Sequence, residues 1–262
     1  MLVDRNSLML MARSGDWPLS VPPQQVVPDQ DEAKMARARD VLDQLVVLKE
    51  GQSILDYGCG EGHMVAEATR RGNIATGYDP IWQQWDRHGD AQLLTRQEGL
   101  NGRLYDRVLL YDVLDHAARD QHQILTQITQ LLSPDGKIMM RLHPFVSIHG
   151  THLYSSLNLA WVHLLLDDND IRELGGNPQK VIRVTRPIDT YRGWFRGAGL
   201  KVVREDIVRT QIPPMFHDPD ILMVIAQNCY KAGLAGGAKV GTKEVLHGFL
   251  SVQFVDYELT VG

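Results

Sequence analysis

Cysteine is scarce in this chain. There are two, Cys59 in a glycine-rich turn and Cys229 far downstream. No disulfide framework and no zinc-ligand spacing can be drawn from such a pair. A reducing compartment, the cytoplasm, is the expectation. Long apolar runs are also missing. The run Leu8-Met9-Leu10-Met11 is too short for the core of a signal peptide, and no stretch approaches the length that crosses a bilayer. Positive charge is not in excess either. The formal net charge of −5 gives no support to a dedicated nucleic-acid binder, although a local basic patch is compatible with it.

What remains is ordinary globular composition. The 262 residues are 44% apolar and 23% charged, enough for one large α/β domain with decorations or for two small domains. The organising stretch is 53–79. It opens Ser53-Ile54-Leu55-Asp56-Tyr57-Gly58-Cys59-Gly60-Glu61-Gly62. A helical pattern from His63 to Arg71 follows, then the short apolar run Ile74–Tyr78 closing on Asp79. Strand, glycine turn, helix, strand and acidic residue are the grammar of a nucleotide-binding βαβ unit. Glycine lets the backbone turn sharply and approach a ligand. Asp79, about 20 residues after the glycines, is placed to accept from two ribose hydroxyls.

Two details narrow the nucleotide. His63 stands where a dinucleotide fingerprint has its third glycine. Asp56 ends the first strand, two residues before Gly58. A carboxylate there would repel a pyrophosphate and attract a ligand carrying an ammonium and a sulfonium. Both details argue against a nicotinamide dehydrogenase. The run Asp56–Gly62, with Asp79, resembles the first motif of the Rossmann-like (class I) methyltransferases that use S-adenosyl-L-methionine (SAM). The resemblance covers about residues 31–226 and implies a seven-stranded α/β sheet with helices on both faces. Its cofactor would be SAM, held by Asp56, Tyr57, Gly58, Gly60, Gly62 and Asp79.

The rest of the chain is read in order. Residues 1–30, broken by Trp17-Pro18 and Pro22-Pro23, form an N-terminal arm. Asp31–Leu48 is a helix with Met35, Ala38, Val41, Leu42, Leu45 and Val46 inward, capped near Gly51. Trp82 and Trp85 share a helical face; one of them covers the adenine, or both simply pack. A strand is expected near 91–95; the resemblance implies an acidic residue after it for the adenine amino group, and only Glu98, in a loop-like context, lies nearby. Tyr105–Asp112 reads as a buried strand. Val113-Leu114-Asp115-His116 after it resembles the strand-four signature of small-molecule methyltransferases. That resemblance puts Asp112 and Val113 at the cofactor's methyl end.

His116 is a candidate general base, because imidazole titrates near neutrality; the alternative is that it packs on the next helix. Gln121–Leu132 is an amphipathic helix, Ser133–Gly136 a turn and Lys137–Leu142 a fifth strand. His143, His149 and His152 follow at the strand's carboxyl end, where open α/β sheets bind ligands. His143 is the second candidate base. The histidines could also form a substrate-facing polar loop or lie on the surface; their spacing matches no compact metal motif.

Residues 145–188 are an insertion read as a lid. A helix from Asp189 to Gly199 precedes strands at Leu200–Ile207 and Ile221–Ala226, the expected closing antiparallel pair. Residues 227–262 are an extension. Four glycines in Gly233–Gly241 make a linker, and the alternation from Leu250 to Val261 changes phase near Phe254-Val255, a bulge or bend. Such a strand needs a partner, and pairing with another subunit or protein is favoured slightly over its own sheet.

The chain lacks the Asn/Asp-Pro-Pro-Tyr/Phe of amino-methylating nucleic-acid enzymes and the Pro-Cys nucleophile of cytosine methylation. The expected function is methyl transfer from SAM to an oxygen or nitrogen of a small molecule or sugar. The alternative is a catalytically weak or silent module for binding or assembly. The expected partners are the acceptor and a homo-oligomer or protein at the tail, with neither nucleic acid nor membrane.

Overall fold

The computed structural model describes residues 3–23, 31–81, 92–117, 121–150, 152–181, 186–231 and 243–262. These divide into two compact units. The sheet unit comprises 27–142, 192–206 and 256–262; the helical unit comprises 1–26, 143–191 and 207–255.

The described residues form one seven-stranded sheet, ordered β3-β2-β1-β4-β5-β7-β6. The strands are β1 (Ser53–Tyr57), β2 (Ile74–Tyr78), β3 (Gln92–Leu94), β4 (Tyr105–Tyr111), β5 (Leu132–Leu142), β6 (Leu200–Arg209) and β7 (Val252–Val261). Strands β1 to β5 pair in parallel. Their apolar runs are buried nearly throughout, as parallel strands covered on both faces must be. The helix α3 (His63–Arg70) joins β1 to β2, and α4 (Gln121–Thr129) leads into β5. The order reverses at β1, with β2 on one side and β4 on the other. That is the switch point where such sheets bind ligands.

The helix α2 (Asp31–Val41) continues as a π-helical turn, Leu42–Val46. Its C-terminal part supplies Val41, Leu42, Leu45 and Val46 to a core shared with Ile54, Val65, Ala68, Leu109 and Met139. Val47, in the left-handed region at φ 51°, ends it; Gly51 instead shapes the turn into β1.

Three expectations are corrected. The apolar run Ile221–Ala226 lies in helix α8 (Pro219–Lys231) and is not a strand. Asp218 accepts from the backbone N–H of Asp220 at 2.8 Å, and Pro219 follows at the first helical position, a strong helix start. Ile221, Leu222, Ile225 and Cys229 are buried while Met223 is exposed, a helical period. The strand that closes the sheet is β7, from the tail expected to pair elsewhere. It lies between β5 and β6. Gly262 N–H donates to Gly199 O and Thr210 N–H to Ser251 O, so β7 runs antiparallel to β6. Ion pairs Lys137–Glu258 at 2.5 Å and Arg141–Asp256 at 2.6 Å tie it to β5. The buried parity shifts from Val252 to Val255, Tyr257 and Leu259, as the phase change predicts.

The third correction concerns Ser133–Gly136. It is looped out within β5, because Tyr105 pairs with Leu132 and Arg107 with Lys137. A side chain at Gly136 would lie 2.7 Å from Tyr105 O.

The helical unit has its own core. It contains Leu8 and Met9 of α1 (Arg5–Ser14), Phe145, Trp161, Phe216, and Ile221 and Ile225 of α8. Leu246 and Leu250 of α9 (Lys243–Leu250) complete it. Trp17 Nε1 donates to Ala160 O at 2.8 Å, and Trp161 Nε1 to Val146 O at 2.9 Å. The described residues of the N-terminal arm and of the 145–188 insertion therefore contribute to one core. Within the insertion lie the short helices α5 (Val162–Leu165) and α6 (Asp168–Glu173), and Asp167 caps α6. Trp82, Trp85 and the glycine stretch at 233–241 lie outside the described residues.

Tyr257 is fully buried and its ring meets that of Phe195 at 5.0 Å. Tyr257→Ala should therefore cost about 3–5 kcal/mol, the scale for a deleted core aromatic. Chemical denaturation measures it; a loss below about 1 kcal/mol would show β7 to be an accessory strand.

Candidate functional site

The site is built at the carboxyl ends of β1 and β4. Glycines 58, 60 and 62 all adopt positive φ, at 84°, 50° and 82°. At Gly58 glycine is required twice over. The left-handed backbone strains any L side chain, and a Cβ would lie 2.6 Å from Val113 Cγ2. Val113 thus lies over the glycine turn. The turn is locked by Gly58 N–H and Cys59 N–H, which both donate to Tyr78 O, at 2.7 and 3.1 Å.

Asp79 holds the turn from β2. Its Oδ2 accepts from Gly60 N–H at 3.0 Å and its Oδ1 from Ile81 N–H at 2.9 Å. Glu98 follows β3 in the short helical turn Gln97–Leu100. Tyr57 is buried against Tyr78, with ring centroids 4.8 Å apart. Burial pushes its phenol up to about 12, so it acts as a neutral packing group beneath the turn.

A cleft of about 180 Å³ opens between this turn, the end of β4 and α2. Its polar lining includes Asp56, Asp112, Tyr111, Lys34 and Arg37. Asp112 sits just past β4 in the left-handed region, φ 55°, which Asp tolerates better than most residues. Held strain of this kind gathers at functional sites. Asp56 is 4% exposed. Burial, and then the charge of Asp79, pushes its carboxyl up to about 7. Asp31, Glu61 and His63 also converge beside the cleft; Lys34 Nζ, 2.6 Å from Glu61 Oε1, supplies positive charge there.

The sequence of the chain matches the methyltransferase-domain family over residues 30–205. That span includes the glycine turn, Asp79 and Asp112. The chain belongs to this family, the Rossmann-like SAM-dependent methyltransferases. Solved structures share its fold. A SAM-dependent methyltransferase from Archaeoglobus fulgidus is 14% identical with a TM-score of 0.50, covering 88% of this chain and 94% of its own. Coclaurine N-methyltransferase bound to N-methylheliamine and SAH is 14% identical, TM-score 0.50, covering 99% and 83%. Mycolic acid cyclopropane synthase complexed with SAH and CTAB is 15% identical, TM-score 0.50, covering 87% and 84%. No curated protein sequence matches the chain.

Within this methyltransferase, all of the residues expected at the cofactor belong to the sheet unit. Asp56, Gly58 and Asp112 line one cleft. The two candidate bases fall in different units. His116 follows β4 in the sheet unit, its Nε2 3.9 Å from Asp115 Oδ2. His143 opens the helical unit, its ring 6.4 Å from His149 and 5.8 Å from Phe254. His149 stays a neutral imidazole: desolvation first, then the other histidines, pulls it down to about 4.

Sequence reasoning missed the α2 wall of the cleft. Lys34, Arg37 and Ala38 are spaced to share one helical face, but only the apolar side of α2 carries a signal in the sequence.

The raised Asp56 carboxyl has a consequence for stability. An unfolded Asp titrates near pH ~3.9. Between that value and about 7 the folded protein holds a proton that the unfolded chain has released. Stability therefore falls as pH rises through this window, and the burden is complete above it. Asp56→Asn should stabilise the ligand-free protein at pH ~8 by a few kcal/mol and have little such effect near pH ~4. Denaturant midpoints at the two pH values measure this; equal shifts would refute a buried, titrating carboxyl.

Proposed function

We propose that this methyltransferase moves the sulfonium methyl of SAM to an oxygen or nitrogen of a small molecule or sugar. The observation that carries the reading is the buried Asp56 at the base of the glycine-turn cleft. Ionising it is costly unless a cation arrives, and the amino-acid end of SAM brings an ammonium beside a sulfonium. A pyrophosphate would meet repulsion there.

Asp56 and Asp112 would face the ammonium, Asp79 would accept from the ribose hydroxyls, and Gly60 and Gly62 would give the cofactor room along the turn. Bound SAM supplies an electrophilic methyl group. The chain's part is then chiefly positioning. A base is needed only where the acceptor loses a proton during attack, and His116 and His143 are the candidates for it.

The relative named as an N-methyltransferase supports nitrogen among the acceptors. The relative named as a cyclopropane synthase makes an alkene the acceptor to compare with it. Among the described residues no helix is long and apolar enough to cross a membrane. With β7 inside its own sheet, the tail strand gives no ground for a partner chain.

Isothermal titration should show SAM and its demethylated product binding. The affinity should rise with pH up to about 7 and then level, because binding draws the proton from Asp56. Asp79→Ala should weaken binding by about 1.5–3 kcal/mol for each charge-assisted bond lost. Wild-type protein giving no heat with millimolar SAM would sink the reading.

Turnover tests the base separately. Replacing the acting histidine, His116 or His143, with Ala should lower kcat, leave the affinity for SAM unchanged and remove the acid limb of the rate profile. Unchanged kcat in both variants would leave positioning alone as the source of rate.

A further inference from the structure

Two histidines of the helical unit meet at a place the methyl-transfer reading does not use. His217 ends the short helical turn Pro214–His217, just before α8. His247 lies in α9. Their ring centroids are 4.7 Å apart, with the ring planes at 49°. Each ring is tied to a backbone carbonyl by the same nitrogen. His217 Nε2 lies 3.2 Å from Ile212 O, and His247 Nε2 lies 3.2 Å from Phe216 O. A carbonyl oxygen only accepts. Nε2 therefore carries the proton in both rings, and in each neutral ring the lone pair is on Nδ1. A carbonyl bonded to the other ring nitrogen is the usual support of a metal-ligating imidazole. It sets the tautomer, orients the ring and raises the basicity of the ligating nitrogen.

The core next door holds both rings in place. Phe216, beside His217, is fully buried, and its ring meets that of Trp161 at 4.7 Å. Leu246 and Leu250 of α9, on either side of His247, enter the same core. Both donors are thus presented from anchored backbone, as a binding site requires. An ion bonded to two imidazoles at ~2.0–2.1 Å sets their nitrogens roughly 3–4 Å apart. A ring nitrogen lies off its centroid, so rings 4.7 Å apart reach that separation by rotating slightly. His217 is exposed and His247 half-buried, which gives an ion a path in and leaves room for waters to complete its coordination.

The donors select the ion. Imidazole nitrogen suits zinc, copper and nickel, whereas magnesium and calcium take oxygen ligands. The cluster of Asp31, Glu61 and His63 is a poorer candidate, because the Lys34 ammonium already stands 2.6 Å from Glu61 and opposes a second cation.

We propose that His217 and His247 bind a divalent transition-metal ion of the zinc, copper and nickel class through their Nδ1 atoms, clipping α9 to the turn before α8. α9 runs directly into β7, so the ion fastens the segment of chain that leads into the closing strand of the sheet.

The test is calorimetric titration of zinc chloride, nickel chloride and magnesium chloride into wild type, His217→Ala and His247→Ala. Each variant is first matched to wild type in its metal-free Tm. Wild type should bind a single equivalent of zinc or nickel and no magnesium. Either substitution should weaken that binding by roughly tenfold or more, and zinc should raise the Tm of wild type more than that of either variant. A second measurement needs no variant: in wild type, zinc should protect His217 and His247 from carbethoxylation, read by peptide mass spectrometry. Wild type that binds no zinc, affinity unchanged in either variant, or two histidines that stay reactive when zinc is bound would each overturn the proposal. SAM is absent from every titration, so the outcome is independent of the cofactor reading.

Discussion

A carboxylate buried beside a glycine turn is the constraint on which the rest of this site depends. Asp56 ends β1 with almost no exposure, and Asp79 at the end of β2 presses on it with like charge. A carboxyl perturbed by burial and by a neighbouring like charge is the kind of group that gathers at functional sites. The surrounding chain is arranged to keep the pair in place. Tyr78 O anchors the turn through two backbone N–H groups, and Asp79 itself accepts from Gly60. Val113 covers Gly58 so closely that no side chain could replace the hydrogen there. The site is stable as a scaffold and unfavourable as an empty charge, which is how binding energy for a cationic ligand is stored.

The same logic links β7 to the cleft. β7 brings Asp256 to Arg141, Arg141 bonds to Tyr111, and Tyr111 meets Arg37 at the cleft wall. These contacts join residues 115 or fewer positions apart in sequence, yet each step is a short charge-assisted or cation–π contact. A tail strand that looks dispensable by position therefore contributes twice. It buries Val255, Tyr257 and Leu259 in the sheet, and it orients a charged residue two strands away.

Methyl transfer asks little of protein chemistry beyond geometry and solvent exclusion. The residues expected at the cofactor gather accordingly. Asp56, Gly58 and Asp112 line one cleft within one unit. His116 and His143 belong to separate units. The position of a base follows the acceptor, and acceptors differ among proteins that share this fold.

The sequence by itself determined the β1–α3–β2 unit, the acidic residues at 56 and 79, the buried β4 run and the ligand end of the sheet. Those features are local. Glycine permits the positive φ of the turn, a period of two or 3.6 marks the element, and chain polarity puts the loops at one end. Only tertiary structure decided the fate of two apolar runs. Ile221–Ala226 is rich in β-branched and long aliphatic residues and fits either element; the Asp218-Pro219 start was the cue for a helix, and burial of Ile221, Leu222, Ile225 and Cys229 on one side settles it. The strand at 252–261 was legible, but its partner was not, because strand pairing is a contact between distant segments and leaves no periodic trace in either. The cationic wall from α2 was hidden for the same reason. A helix announces which face it buries in the core, whereas the choice of which polar face borders a cleft belongs to the packing of the whole unit.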